Sequence, residues 1–344
     1  MMKMNKKVII YIGNDLSKKS NYNSTMNTLS CLLEKEGYRI IRSSGKQNKL
    51  IRILDMCITV VKYSKKADYV LIDTFSTLNF YYALIVSQLT RAINLKYIPI
   101  LHGGNLPNRL NNNPLLCKVI FKNSYKNIAP SMYLKTHFEG KSYKTIYIPN
   151  VIQIEDYPYK ERKELSPNLL WVRAFDKIYN PQMAIEVLYH LKKVYPEAKL
   201  CMVGPVKDNS FQKCKNMVAK YSLDTSVSFT GVLKKEEWHN LSRNYDVFIN
   251  TTNVDNTPVS VMEAMALGIP VISTNAGGLP FLIENNVDGV LVEKNNPEMM
   301  TKAIEELIEE KNYQLSFNAR KKVENFGWNK VKKQWFSILD DDLE

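Results

Sequence analysis

The stretch Asp255–Gly289, DNTPVSVMEAMALGIPVISTNAGGLPFLIENNVDG, constrains the fold more than any other part of the 344-residue chain. It opens on turn formers, Asp255 to Pro258, and then turns helical: Val261, Met262, Ala264, Met265 and Leu267 give one apolar face. Gly268 suits the helix C-terminus, and Pro270 cannot extend it. Val271 and Ile272 read as a short buried strand, and Asn275–Gly278 as a loop of small residues. This is loop, helix, strand, loop, the unit found at the ligand edge of an open α/β sheet. Pro258 suits the first helical turn, which leaves the N–H groups of Val259 and Ser260 facing outward as an anion site. Glu263 lies within the first two turns, where the positive helix end favours a carboxylate. Asp255 lies eight residues earlier, so both acids are placed to approach one ligand.

The rest of the chain alternates in the same manner. Strands are expected at Lys7–Ile12, Tyr38–Ile41, Tyr69–Ile72, Tyr97–Leu101 and Thr145–Ile148, and helices from about Ser24, over Leu50–Val61 and over Phe80–Leu89. After Ile148-Pro149-Asn150, the polar run Gln153–Pro167 reads as a linker. A second series follows, with strands at Leu169–Val172, Lys199–Val203, Val227–Thr230 and Asp246–Asn250 and a helix opened by Pro181. Pro297–Glu309 and Trp328–Leu339 read as closing helices. Such alternation predicts parallel sheets in an α/β fold. His102, followed by Gly103 and Gly104, stands at the carboxyl end of an expected strand, where open sheets bind ligands.

Length allows two domains. No apolar run approaches a membrane span, and Val8–Ile12 is short for a signal peptide. Five scattered cysteines without metal spacing suggest buried thiols in a reducing cytoplasm. Charge is divided unevenly. Residues 1–150 hold 23 Lys and Arg against 7 Asp and Glu, a net of +16, whereas the remainder is net −3. That asymmetry points to an anionic partner for the first half.

The Asp255–Gly289 stretch resembles the signature of the retaining family-4 glycosyltransferases of GT-B fold: an acid, seven residues, Glu-Ala-Met-Ala, Gly-x-Pro-Val and a glycine-rich loop. Glu263-Ala264-Met265-Ala266, Gly268, Pro270, Val271, Gly277 and Gly278 fit, and Asp255 stands where Glu is usual. Ile148-Pro149-Asn150-Val151 is similar to the family's interdomain entry without its glycine. The resemblance implies two Rossmann-like parallel-sheet domains facing across a cleft. Residues 1–150 would bind acceptor, 151–327 nucleotide sugar, and a helix in 328–344 would cross back to the first domain, anchored by Trp328, Trp335 and Phe336.

The same resemblance implies roles. Arg173 and Lys177, spaced four apart where five is commoner, would grip the donor diphosphate, and Glu263 the ribose. Asp255 would orient sugar hydroxyls, and His102 would lie by donor sugar and acceptor. Gly13, Gly204, Gly231, Val232, Thr257, Pro258, Val259 and Ser260 complete the expected donor-binding set. The implied activity is a retaining, hexosyltransferase-like, metal-independent transfer from a UDP- or GDP-linked sugar to a glycan or lipid-linked acceptor in cell-surface polysaccharide synthesis. No cofactor beyond the nucleotide sugar is expected. The expected location is cytoplasmic, peripheral at the inner face of the plasma membrane through the basic first domain.

Rival sites fail on spacing. There is no G-x-G-x-x-G, Lys135 stands where a P-loop before Gly140-Lys141-Ser142 needs glycine, and no G-x-S-x-G elbow or nucleic-acid module is present. Two alternatives stay open: a GT-B nucleotide-sugar epimerase, and a sugar-nucleotide-binding subunit without catalysis.

Overall fold

A computed structural model describes residues 7–14, 24–310 and 314–341. They divide into two units, one from the residues up to Val151 together with those from Trp328 onward, the other Ile152–Gly327.

The first unit is built on six parallel strands: β1 Val8–Ile12, β2 Arg39–Ser43, β3 Tyr69–Thr74, β4 Lys96–Leu101, β5 Asn127–Ala129 and β6 Thr145–Tyr147. Their order is β2-β1-β3-β4-β5-β6. All six residues of β3 are buried, as expected for a strand covered on both faces. One face packs Met56, Val60, Phe80, Val86 and Phe121. The other packs Met26, Leu33, Val331, Trp335 and Leu339, so the helix Trp328–Leu339 belongs to this unit. Its ends are tied by hydrogen bonds from the Trp328 indole to Glu36 (3.0 Å), from Tyr38 to Asp340 (2.8 Å) and from Tyr125 to Asp341 (3.0 Å). Side-chain caps start the first two helices where expected: Ser24 accepts from Asn27 N–H at 3.2 Å, and Asn48 from Leu50 N–H at 2.9 Å.

The second unit repeats the design with β7 Asn168–Val172, β8 Lys199–Val203, β9 Val227–Gly231, β10 Val247–Asn250, β11 Val271–Thr274 and β12 Val290–Val292. These strands are parallel, in the order β12-β11-β10-β7-β8-β9. Helices Pro181–Leu191 and Pro297–Glu310 cover one face and Val259–Ala266 the other.

Two readings of the sequence need correction. The run expected as a linker, Gln153–Pro167, is packed into the second unit. Arg162 there is 3% exposed, and its guanidinium donates to the carbonyls of Tyr245, Lys160, Leu267, Gly268 and Ser242. A polar, proline-bearing run can thus be structural when one arginine satisfies several carbonyl groups. The cysteines are free thiols, but Cys31 is exposed and Cys57 half-buried. Only Cys117, Cys201 and Cys214 are buried, and burial pushes the Cys117 thiol to about 11.

Candidate functional site

In the second sheet the strand order reverses between β7 and β10, and a crevice is expected outside their carboxyl ends. Arg173 follows β7 directly, and the loop 251–258 follows β10. An ion pair joins Arg173 to Asp255, the two side chains 14% and 15% exposed. The Tyr179 ring lies 4.6 Å from the guanidinium carbon, a cation–π contact.

Both partners are locked by glycines. Gly277 takes φ +56°, and a Cβ there would lie 2.1 Å from the Asp255 carbonyl oxygen; Gly278 N–H donates to that same oxygen at 3.0 Å. Gly204, at φ +149°, lies under Arg173, where a Cβ would sit 1.8 Å from the Arg173 carbonyl oxygen. Gly204 N–H donates to the Gly231 carbonyl at 2.8 Å. Of the expected donor-binding residues, Gly204 and Gly231 therefore brace one another at the ends of β8 and β9, while Val232 is 63% exposed.

The helix Val259–Ala266 begins one residue later than the sequence suggests, with Pro258 (φ −67°, ψ 118°) as its cap. The Pro258 carbonyl accepts from Val261 and Met262. The Val259 and Ser260 N–H groups belong to the open first turn, which has no intrahelical acceptor. Thr257, half-buried, precedes the cap. Ser260 Oγ, Asn253 Oδ1 and Asn250 Oδ1 are buried side-chain oxygens without a hydrogen-bond partner. Such atoms are costly unless something fills the site.

Glu263 is held differently from Asp255. The Tyr157 hydroxyl donates to its carboxylate at 2.6 Å. The Tyr157 ring lies 4.6 Å from that of His239, and the Lys235 ammonium is 4.3 Å from its centroid. Burial raises the Glu263 carboxyl above its ordinary value, while the Tyr157 hydrogen bond and the Lys235 charge pull it back down. Lys177 is exposed and opens the turn Lys177–Tyr179, its N–H donating to Asp208 at 2.9 Å. In that turn it is Tyr179, not Lys177, that contacts Arg173.

The first sheet reverses order between β1 and β3. Gly13 ends β1, exchanging backbone hydrogen bonds with Ser43 and Ser44. At the end of β3, Asp73 is 4% exposed. It accepts from the Tyr11 hydroxyl at 3.0 Å and lies 2.9 Å from His102 Nε2. Phe75 stacks on the His102 ring at 5.2 Å. His102 is thus held in a fixed orientation by a buried carboxylate.

Asp73, Tyr157 and Tyr179 join the site without being marked by any sequence motif. Asp73 had the best available signal, a lone acid closing an otherwise apolar strand. The tyrosines had none, since Tyr157 meets Glu263 across 106 positions.

Two parallel six-stranded sheets with polar loops at their carboxyl ends define an α/β protein of GT-B fold. Residues 154–324 match the model of the family described as glycosyl transferases group 1, and this part of the chain belongs to that family. A relative in Escherichia coli K12, named as a colanic acid biosynthesis glycosyltransferase, WcaL, is 29% identical over 169 residues, 46% of this chain and 41% of that one. The first curated relatives are matched over 44–48% of their own length. Among solved structures, sucrose-phosphate synthase from Thermosynechococcus elongatus is similar with a TM-score of 0.81 at 16% identity, over 98% of this chain and 99% of that one. Anabaena HepE in complex with UDP and glucose is similar with a TM-score of 0.77 at 16% identity, over 97% and 100%.

Proposed function

We propose that the protein is a retaining glycosyltransferase that moves a sugar from a nucleoside diphosphate to a hydroxyl of a glycan or lipid-linked acceptor. The observation that carries this reading is the Arg173–Asp255 pair, set beside an open helix turn at the crevice of the second sheet. Arg173 and the Val259 and Ser260 N–H groups would meet the diphosphate. As the anomeric C–O bond breaks, negative charge grows on the leaving phosphate, and donors already aimed there favour the transition state. The acceptor oxygen forms the new bond, and its proton passes to the departing phosphate on the same face, which gives retention. In this reading no metal is required, because fixed cations and amide dipoles take up the charge.

Glu263, held by Tyr157, would accept from the ribose hydroxyls, and the unpartnered oxygens of Asn250, Asn253 and Ser260 would gain partners from the donor. Asp255 would turn to the sugar hydroxyls, and we assign Lys177 to the outer phosphate. In the first unit we assign the Asp73–His102 pair a part in handling the substrate. The UDP and glucose bound by HepE support a UDP-sugar as donor, and the name of the colanic acid relative supports a cell-surface glycan as product. We place the reaction in the cytoplasm, a reading that five free thiols support.

The test is a thermal-shift screen with UDP- and GDP-sugars, followed by donor turnover with acceptor glycans. A native-state ligand raises the melting temperature by mass action. The reading requires a shift with at least one nucleotide sugar that Glu263→Ala diminishes. No shift with any of them would overturn it, and turnover of donor without acceptor, into an epimer, would replace transfer by epimerisation.

A further inference from the structure

The helix Lys49–Tyr63 is strongly amphipathic, but its apolar side is wider than the core covers. Met56 and Val60 point into the core. Leu50, Ile51, Leu54, Ile58 and Val61 are exposed, Leu50 at 73% and the least of them at 53%. Leu50, Leu54, Ile58 and Val61 recur at spacings of four, four and three, so they form one stripe of about 16 Å at 1.5 Å per residue. The helix Asn79–Ala92, packed beside it, adds exposed Tyr81 and Ile85, with Leu78 just before its start. Helix Pro114–Phe121, packed on that one in turn, adds Leu115 at 77%. Single exposed apolar residues are ordinary, but two neighbouring rows with a further exposed leucine beside them mark an interaction surface.

The surrounding charge identifies the partner. Lys46, Lys49, Lys62, Lys65 and Lys66 are exposed along and beyond the first helix, and Lys118 and Lys122 on and after the third. The one carboxylate on these helices, Asp55, is turned inward and accepts from Ser43 Oγ at 3.1 Å. From Thr74 to Phe138 the chain has seven Lys and Arg and no acid. An apolar row rimmed by cations, with no outward carboxylate on the three helices themselves, fits an anionic bilayer. A second copy would bring the same cations to the same face, and like charges oppose that pairing.

We propose that this three-helix face docks on an anionic lipid bilayer, with Leu50, Leu54, Ile58 and Val61 entering the interfacial layer and the flanking lysines meeting phosphate headgroups. The proposal does not depend on sugar transfer by the second unit. No helix among the described residues is long and apolar enough to cross a membrane, so the contact is one of lying on the surface.

The test is co-sedimentation of the full chain with phosphatidylcholine vesicles, with and without about one-third phosphatidylglycerol, at about 0.1 M and 0.5 M salt. The wild type should bind the anionic vesicles at low salt and bind pure phosphatidylcholine, or either vesicle at high salt, roughly tenfold or more weakly. Leu54→Glu with Ile58→Glu should lose binding by roughly tenfold with an unchanged melting temperature, since both side chains are exposed. Lys62→Glu, Lys65→Glu and Lys66→Glu together should weaken binding and flatten its salt dependence. Failure of the wild type to bind anionic vesicles would overturn the proposal, as would equal binding by the leucine–isoleucine variant. So would a wild-type dimer in sedimentation velocity that this variant dissolves, because the face would then be a contact between copies.

Discussion

Arg173 is half of an ion pair and, in the proposed reading, also meets the diphosphate, and the two roles can be separated. Arg173→Ala should reduce donor turnover by about 10²–10³, the cost of losing one donor aimed at developing charge. It should also destabilise the fold by up to about 3 kcal/mol, because Asp255 loses its partner while 15% exposed. Adding Asp255→Asn removes the stranded charge, so the melting temperature should recover while turnover does not. Recovery of both would make the pair purely structural. Glu263 offers a pH test. Its carboxyl is raised by burial and pulled down by the Tyr157 hydroxyl, so Tyr157→Phe should raise it further. If ionised Glu263 accepts from the donor, affinity falls as pH drops through its folded pKa, and in Tyr157→Phe that fall begins at a higher pH. Donor titrations across acid to neutral pH read this directly, and superimposable profiles would remove Tyr157 from the argument. The stability sign is opposite to that of a salt-bridged acid. A raised carboxyl favours folding most below its unfolded pKa, and that contribution is lost as pH rises through the folded value.

At the scale of elements, loops rather than helices set the site's precision. Gly277→Ala would impose a side chain on a backbone at φ +56° and drive its Cβ against the Asp255 carbonyl. A cost of about 2 kcal/mol or more is expected, with weaker donor binding because the Asp255 loop must shift. Gly231→Ala is the control: its φ is +71°, but no atom lies within 4 Å of the new Cβ, so only the conformational cost of about 1 kcal/mol remains. Urea unfolding with donor titration separates the two, and equal losses would mean that the contact with Asp255 is unimportant. The alternation of strands and helices was legible because apolar period and Gly or Pro punctuation agree there. The helices Leu106–Asn112 and Pro114–Phe121 were not, since Pro107, Pro114 and the run Asn111–Asn113 imitate a loop while Pro107 and Pro114 in fact occupy helix starts. Asp255 and Glu263 stand inside the signature stretch, whereas Arg173 lies outside it and is marked only by the resemblance. The partners Tyr179 and Tyr157 were not legible, because a tyrosine shows no local pattern for the distant acid or arginine it will meet.

For the whole molecule, the first unit is not finished until the helix Trp328–Leu339 is made. Val331, Trp335, Ile338 and Leu339 are each at most 3% exposed and share a core with Ile9, Tyr11, Leu71 and Ile98. Enclosing four such side chains contributes roughly 6–12 kcal/mol at about 1.5–3 each, an upper figure comparable to the 5–15 kcal/mol that holds a typical domain. A chain ending at Gly327 should therefore leave the first unit without a cooperative fold, with Tyr38 and Glu36 also losing Asp340 and Trp328. The second unit, Ile152–Gly327, keeps its own sheet and cores and should keep its melting transition and its donor-induced shift. Limited proteolysis with thermal melting would read both outcomes at once: rapid cleavage before residue 151 with a protected fragment after it. A first unit that stayed protease-resistant without residues 328–344 would mean that this closing helix is an accessory rather than a wall of the core.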